Sequence, residues 1–259
     1  MNNSMHSVYR VALPLVGLLL LLVVSLSLNV ILVKRFRHVY RELSRVTLNP
    51  LGLDQFRAAA DAGTEARDGR LVLFYGDSRA AAWPVPPEVG AFVFVNRGLD
   101  GQTAVQSNLR YETHAAPVQP DVVVVQVGIN DLRVIPALPA EQAAIVAATT
   151  GNIRQIVAKA AADGAVVVLT TIFPVQTPPL LERMYWSAEV ETAVQTVNDA
   201  LRTLAADNVI ILDAHALLAD DNGALRDEYA ADYLHLNAAG YHRLNEALTT
   251  LLAELYLTR

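Results

Sequence analysis

The chain contains no cysteine among its 259 residues. Disulfides and thiolate metal sites are therefore excluded, but no compartment is identified, since an exported bacterial protein can also lack cysteine. Histidine is scarce, and His114, His215 and His242 do not fall at metal-ligand spacing. Asp220-Asp221-Asn222-Gly223 reads as a turn and not as a calcium loop. No cofactor is expected. Of 20 Lys and Arg, six lie in the first 45 residues, which leaves 14 against 25 acids from Val46 onward, a charge of about −11. Nucleic acid is argued against as a partner, because its binding relies on a basic surface. No internal repeat is evident.

The chain does have one long uncharged run, the 23 residues from Val11 to Val33. A stretch of that length can span a bilayer as a helix, with Pro14 in its first turn, where proline is tolerated. The competing reading is a cleaved signal peptide, because Ser25 and Ser27 imitate a small-residue cleavage site. Apolar sequence continuing through Val30-Ile31-Leu32-Val33 favours an uncleaved anchor. Beyond it, Lys34, Arg35, Arg37, Arg41 and Arg45 oppose a single acid, Glu42, while Phe36, Val39, Tyr40, Leu43 and Val46 recur at helical spacing. Lys34 to Val46 thus reads as an amphipathic juxtamembrane helix near lipid headgroups, with a solvated stalk or a coiled-coil stem as alternatives. The expected organisation is a tail over 1–10, a transmembrane anchor over 11–33, a basic helix and linker over 34–69, and one domain over 70–259. The charge bias favours a cytoplasmic carboxyl side.

Within that domain strands and helices alternate. Strands are expected at Leu71 to Tyr75, Phe92 to Val95, Val122 to Val127, Val166 to Thr170 and Val209 to Leu212. Helices are expected at Gln102 to His114, Glu141 to Ala162, Glu189 to Ala205 and Ala238 to Leu255. Such alternation implies right-handed crossovers and a parallel sheet, an α/β fold.

Four short segments sit where strands end or helices begin: Gly76-Asp77-Ser78, Asn96-Arg97-Gly98, Gly128-Ile129-Asn130-Asp131 and Asp232-Tyr233-Leu234-His235. An open α/β sheet gathers such segments along its carboxyl edge, where these folds keep their ligands. Gly76 permits a tight turn that exposes Ser78, and a serine hydroxyl needs a base and a group to orient that base. Asp232 and His235, three residues apart, can supply both. Acyl transfer also requires oxyanion donors, and the N–H groups of Ser78 and Gly98 with the Asn130 side-chain amide are candidates. Each segment alone has a structural reading, as a helix cap, a turn or a core histidine. The set in this order points to catalysis.

The set resembles the SGNH hydrolases, also called the GDSL esterase and lipase family, over roughly Arg70 to Leu255. That resemblance implies a five-stranded flavodoxin-like sheet, Ser78 as nucleophile, His235 as base with Asp232 its partner, and an oxyanion hole of Ser78, Gly98 and Asn130. It implies a serine esterase acting on a small-molecule, lipid or glycan ester: a lysophospholipid, an acylglycerol or an acylated carbohydrate. An O-acyltransferase or carbohydrate deacetylase could use the same triad, and a membrane-tethered binding or scaffold protein is the non-enzyme alternative. Membrane-tethered relatives often act outside the cytoplasm, against the charge bias, so the side stays open. Arg79 stands where many members carry leucine. With Arg97 and Arg133 it either forms a positive rim for substrate or pairs with Asp77, Asp100 or Asp131. The segment Phe173 to Trp186, with Tyr185 and Trp186, either walls an acyl pocket or packs on its own domain, and Trp83 carries the same ambiguity.

Overall fold

The computed structural model describes residues 2–56, 69–86, 92–180, 183 and 186–257, with side chains described from 15 to 255 among these. The chain divides into two compact units, Met1–Pro50 and Leu51–Arg259.

The first unit is one helix, α1 (Asn2–Leu48). It begins well before Val11, so Pro14 lies in its interior and not in a first turn, where it removes one backbone hydrogen bond. The basic segment Lys34 to Val46 continues the same helix. Two polar side chains inside the apolar run bond back to their own helix. Ser27 Oγ donates to the Val23 carbonyl and Asn29 Nδ2 to the Ser25 carbonyl, both at 2.8 Å, the i−4 back-bonding open to polar side chains in a helix. By length and composition this is the one described helix able to cross a membrane.

The second unit is built on five parallel strands: β1 (Arg70–Gly76), β2 (Phe92–Gly98), β3 (Val122–Gln126), β4 (Val166–Thr170) and β5 (Val209–Leu212). Their order is β2-β1-β3-β4-β5, the flavodoxin-like arrangement with a switch point between β1 and β3. Every residue of β3 and β4 is buried, which explains why these strands run apolar without alternation. Each buried valine there contributes about 1.5–3 kcal/mol relative to exposure.

Alternate strand residues feed two cores. Leu73, Val123, Val125 and Val167 face one, shared with α3 (Ala104–His114), α5 (Gln142–Ala162) and α6 (Ala188–Arg202). Val72, Val124, Val166 and Val168 face the other, against α7 (Ala214–Leu218) and α8 (Ala238–Leu257). In α8 the buried residues Tyr241, Leu244, Leu248 and Leu252 recur every three or four positions, the stripe that seats a helix on a sheet. Two four-residue helices, α2 (Ser78–Ala81) and α4 (Ile129–Leu132), follow β1 and β3. Register pairs Gly76 with Gly98 on one side and with Gln126 on the other. Three of the four sequence segments therefore lie side by side at the carboxyl edge.

Candidate active site

Ser78 is delivered by a turn that only glycine can make. Gly76 has φ +148° and a Cβ there would lie 1.7 Å from the Gln126 carbonyl oxygen, so any other residue would push β1 off β3. Asp77 then caps α2, its side chain accepting from Arg79 N at 2.9 Å. It is fully buried. Burial pushes its carboxyl up to about 6, against the pull of Arg79. Ser78 follows as the first residue of α2, half-buried, its N–H without an acceptor inside the helix.

The fourth segment comes to meet it. Asp232 folds the loop on itself, Oδ1 accepting from the backbone N–H groups of Leu234 and His235, each at 2.7 Å. Its other oxygen lies 2.9 Å from His235 Nδ1, and His235 Nε2 lies 3.2 Å from Ser78 Oγ. With a carboxylate at Nδ1, the proton belongs on that nitrogen, which leaves Nε2 to accept from the serine hydroxyl. Burial raises the Asp232 carboxyl, but hydrogen bonds from the His235 ring and the two backbone N–H groups outweigh it and hold the group below its ordinary range. The imidazole and carboxylate are open to solvent, their side chains 39% and 50% exposed.

The expected oxyanion donors surround Ser78 unequally. Gly98 lies against α2, and a Cβ on it would sit 2.2 Å from Ala81 N. Its N–H donates to Asn96 Oδ1 at 2.8 Å, while Asn96 Nδ2 donates to the Ala80 carbonyl at 2.8 Å. In this conformation the Gly98 N–H is engaged by Asn96 Oδ1, because the asparagine two positions earlier turns back on its own loop. Asn130 is positioned by α4, which Gly128 opens at φ +129°. Its Nδ2 gives one hydrogen to the Gln102 carbonyl at 3.0 Å and keeps a second. Its neighbour Asp131 holds α3 in place, both carboxylate oxygens accepting from Ala104 N at 3.1 and 2.8 Å. Burial pushes the Asp131 carboxyl up to about 7, against those backbone bonds.

Of the two readings of Arg79, Arg97 and Arg133, a substrate rim or structural pairing, the burial of the first two favours a structural role. Arg79 is fully buried: Nε donates to the Leu234 carbonyl at 3.0 Å and Nη1 to the Phe173 carbonyl at 3.1 Å. It ties the nucleophile's helix to the histidine loop and faces no substrate. Arg97 is 7% exposed, its guanidinium 4.6 Å from the centroid of the Phe56 ring. Arg133 alone of the three is exposed. Trp83 and Phe173 are core residues, 5.9 Å apart at their ring centroids. Tyr185 lies outside the described residues. Trp186 packs edge-on against Tyr233 at 5.9 Å, beside the histidine loop. A cleft of about 380 Å³ opens at Asp232, lined among others by Gln176, Thr177, Pro178, Arg183 and Tyr233.

Two residues had no signal in the sequence. Tyr241 donates its hydroxyl to the Arg79 carbonyl at 2.9 Å, and Arg110, fully buried, donates to the carbonyls of Gly76 at 2.8 Å and Arg97 at 2.9 Å. A charge on an amphipathic helix normally faces water, so nothing local marks Arg110 as an interior brace. Among the described residues no group of three or more His, Asp or Glu is placed to hold a metal ion.

No curated protein matches the chain by sequence. Its fold is shared with a GDSL-like lipase from Bacteroides thetaiotaomicron, 20% identical over 79% of this chain and 98% of that one, with a TM-score of 0.64. A mutant acetylxylan esterase from Geobacillus stearothermophilus is 20% identical over 72% of this chain and 95% of its own, at a TM-score of 0.53. At such identities the likeness is one of fold. The sequence model of the GDSL-like lipase/acylhydrolase family matches residues 59–243. That match covers most of the chain and includes all four segments gathered at the sheet edge, so the chain belongs to the GDSL-like lipase/acylhydrolase family of ester-hydrolysing enzymes.

Proposed function

We propose that the chain is a membrane-anchored serine esterase in which Ser78 is the nucleophile, His235 the general base and Asp232 the group that orients it. The observation that carries this reading is the unbroken line from Ser78 Oγ through His235 to Asp232, with contacts of 3.2 and 2.9 Å. As Ser78 attacks the ester carbonyl, Nε2 takes its proton and Asp232 stabilises the imidazolium without being protonated. The oxyanion is received by Ser78 N–H and the second hydrogen of Asn130 Nδ2, with Gly98 N–H, which faces Asn96 Oδ1 in this conformation, as the third candidate donor. His235 returns the proton to the leaving alcohol and then activates the water that hydrolyses the acyl-enzyme. Anchoring rests on α1, whose apolar length exceeds what a bilayer needs.

For the substrate, the open triad and the polar lining of the cleft at Asp232 favour short acyl groups on a hydroxylated carrier over long lipid chains. Esters of that kind are substrates of the acetylxylan esterases whose fold is shared. Carbohydrate deacetylation is therefore the preferred form of the reaction. A panel of acetylated oligosaccharides, short-chain aryl esters and long-chain lysophospholipids, with Ser78→Ala as blank, tests it. Turnover is expected on the first two and several orders of magnitude less in the variant. Preference for lysophospholipid would overturn the substrate assignment, and undiminished turnover by Ser78→Ala would overturn the nucleophile.

A further inference from the structure

The catalytic unit begins before its first strand. Leu51–Phe56, the first residues of the second unit, pack beside the second catalytic segment. Gly52, at φ +62°, lies so close to Leu99 that a Cβ would be 2.7 Å from its Cδ1. The Phe56 ring meets Arg97 on its face at 4.6 Å and His114 edge-on at 5.1 Å. His114 Nδ1 in turn lies 3.4 Å from Arg110 Nη1.

Arg110 closes this chain of contacts onto the active site. One prong donates to the Arg97 carbonyl and the other to the Gly76 carbonyl, while the guanidinium sits 4.4 Å from the Tyr75 ring centroid. The Arg97 carbonyl shares a rigid peptide plane with Gly98 N–H, and the Gly76 carbonyl shares one with Asp77 N–H. Leu99 N also donates to Gly76 O at 3.0 Å. The two planes that carry the nucleophile turn and the oxyanion loop are thus held by one two-pronged, buried cation. Such a fork fixes direction as well as distance. Burial disfavours the charged guanidinium, and the two carbonyls and the Tyr75 ring face are the groups that offset that cost.

We propose that Leu51–Phe56 is a working part of the active site, and that Phe56, Arg97 and Arg110 are positioning residues that set the loop bearing Gly98. The segment directly after the apolar helix then governs turnover without touching substrate. This rests on the esterase reading of Ser78, and the test separates the two. Full-length protein in detergent is compared with Phe56→Ala, Phe56→Tyr, Phe56→Leu and Arg110→Lys by steady-state kinetics on a short-chain ester. Fluorophosphonate labelling and backbone hydrogen exchange are followed in parallel.

The expected result is a fall in kcat of about tenfold to a hundredfold for Phe56→Ala, the scale of a small misplacement of a catalytic group, with KM little changed. Phe56→Tyr keeps the ring and restores the rate, whereas Arg110→Lys, able to reach only one carbonyl, loses it. Exchange of the amides of 97–102 should quicken in Phe56→Ala while β3 and α8 stay protected. Wild-type kcat and exchange in Phe56→Ala would overturn the proposal. Should Phe56→Ala unfold, Phe56→Leu keeps the packing and removes the ring, and wild-type kcat in that variant overturns it equally. A wild-type protein that fluorophosphonate does not label would sink the esterase reading alone, since exchange in 97–102 still decides the brace.

Discussion

Ser78 owes its position to the residues on either side of it. Gly76 and Asp77 make the turn, and Arg79 fastens α2 to the loop that carries His235 through the Leu234 carbonyl. The distance between nucleophile and base is therefore set by a side chain that neither of them touches. Replacing Arg79 by glutamine leaves the carbonyls of Leu234 and Phe173 short of donors inside the protein, at a cost of about 1–3 kcal/mol for a buried group left unpaired. Chemical denaturation should register that loss. Because the guanidinium does not reach solvent, KM for an anionic and for a neutral ester should move together. A selective rise for the anionic ester would show that Arg79 faces substrate after all. Asp232 and His235 were legible in the sequence because their relation is local, three residues within one loop. The role of Arg79 was not, since its partners lie 94 and 155 positions away and nothing in its neighbourhood encodes them.

Helix α3 joins the second and third catalytic segments. Its start is fixed by a capping box of Thr103 and Gln106 and by Asp131, which reaches across from α4 to Ala104 N. That anchorage has a pH signature. The Asp131 carboxyl is raised from 3.8 to about 7 by burial, so the folded state holds a proton that the unfolded chain releases. Its contribution is fully present below about pH 4 and is lost as pH rises through about 7. Asp131→Asn keeps an acceptor for Ala104 N and removes the titration. The variant should therefore gain stability over wild type between pH 4 and 8, as read by denaturant midpoints. Parallel curves would mean that Asp131 titrates normally. The buried strands were plain in the sequence, because Val122 to Val125 and Val166 to Leu169 are apolar on both faces. The interior position of Pro14 in α1 was hidden, since the polar residues before Val11 carry no helix signal as strong as the apolar run.

Across the whole molecule, a long apolar helix precedes a domain whose reactive groups all lie at one sheet edge. Full-length protein is expected to sediment with membranes and to stay there through a high-salt wash, because a spanning helix is held by apolar burial and salt weakens only headgroup attraction. Release by salt would leave the basic residues between Lys34 and Arg45 as the whole attachment. Covalent labelling of the full-length chain by a fluorophosphonate, with the modified residue located by mass spectrometry, tests the serine esterase assignment most directly. Stoichiometric modification of Ser78, lost in Ser78→Ala and strongly slowed in His235→Ala, is the expected result. An unlabelled protein, or a label at another residue that survives Ser78→Ala, would contradict it.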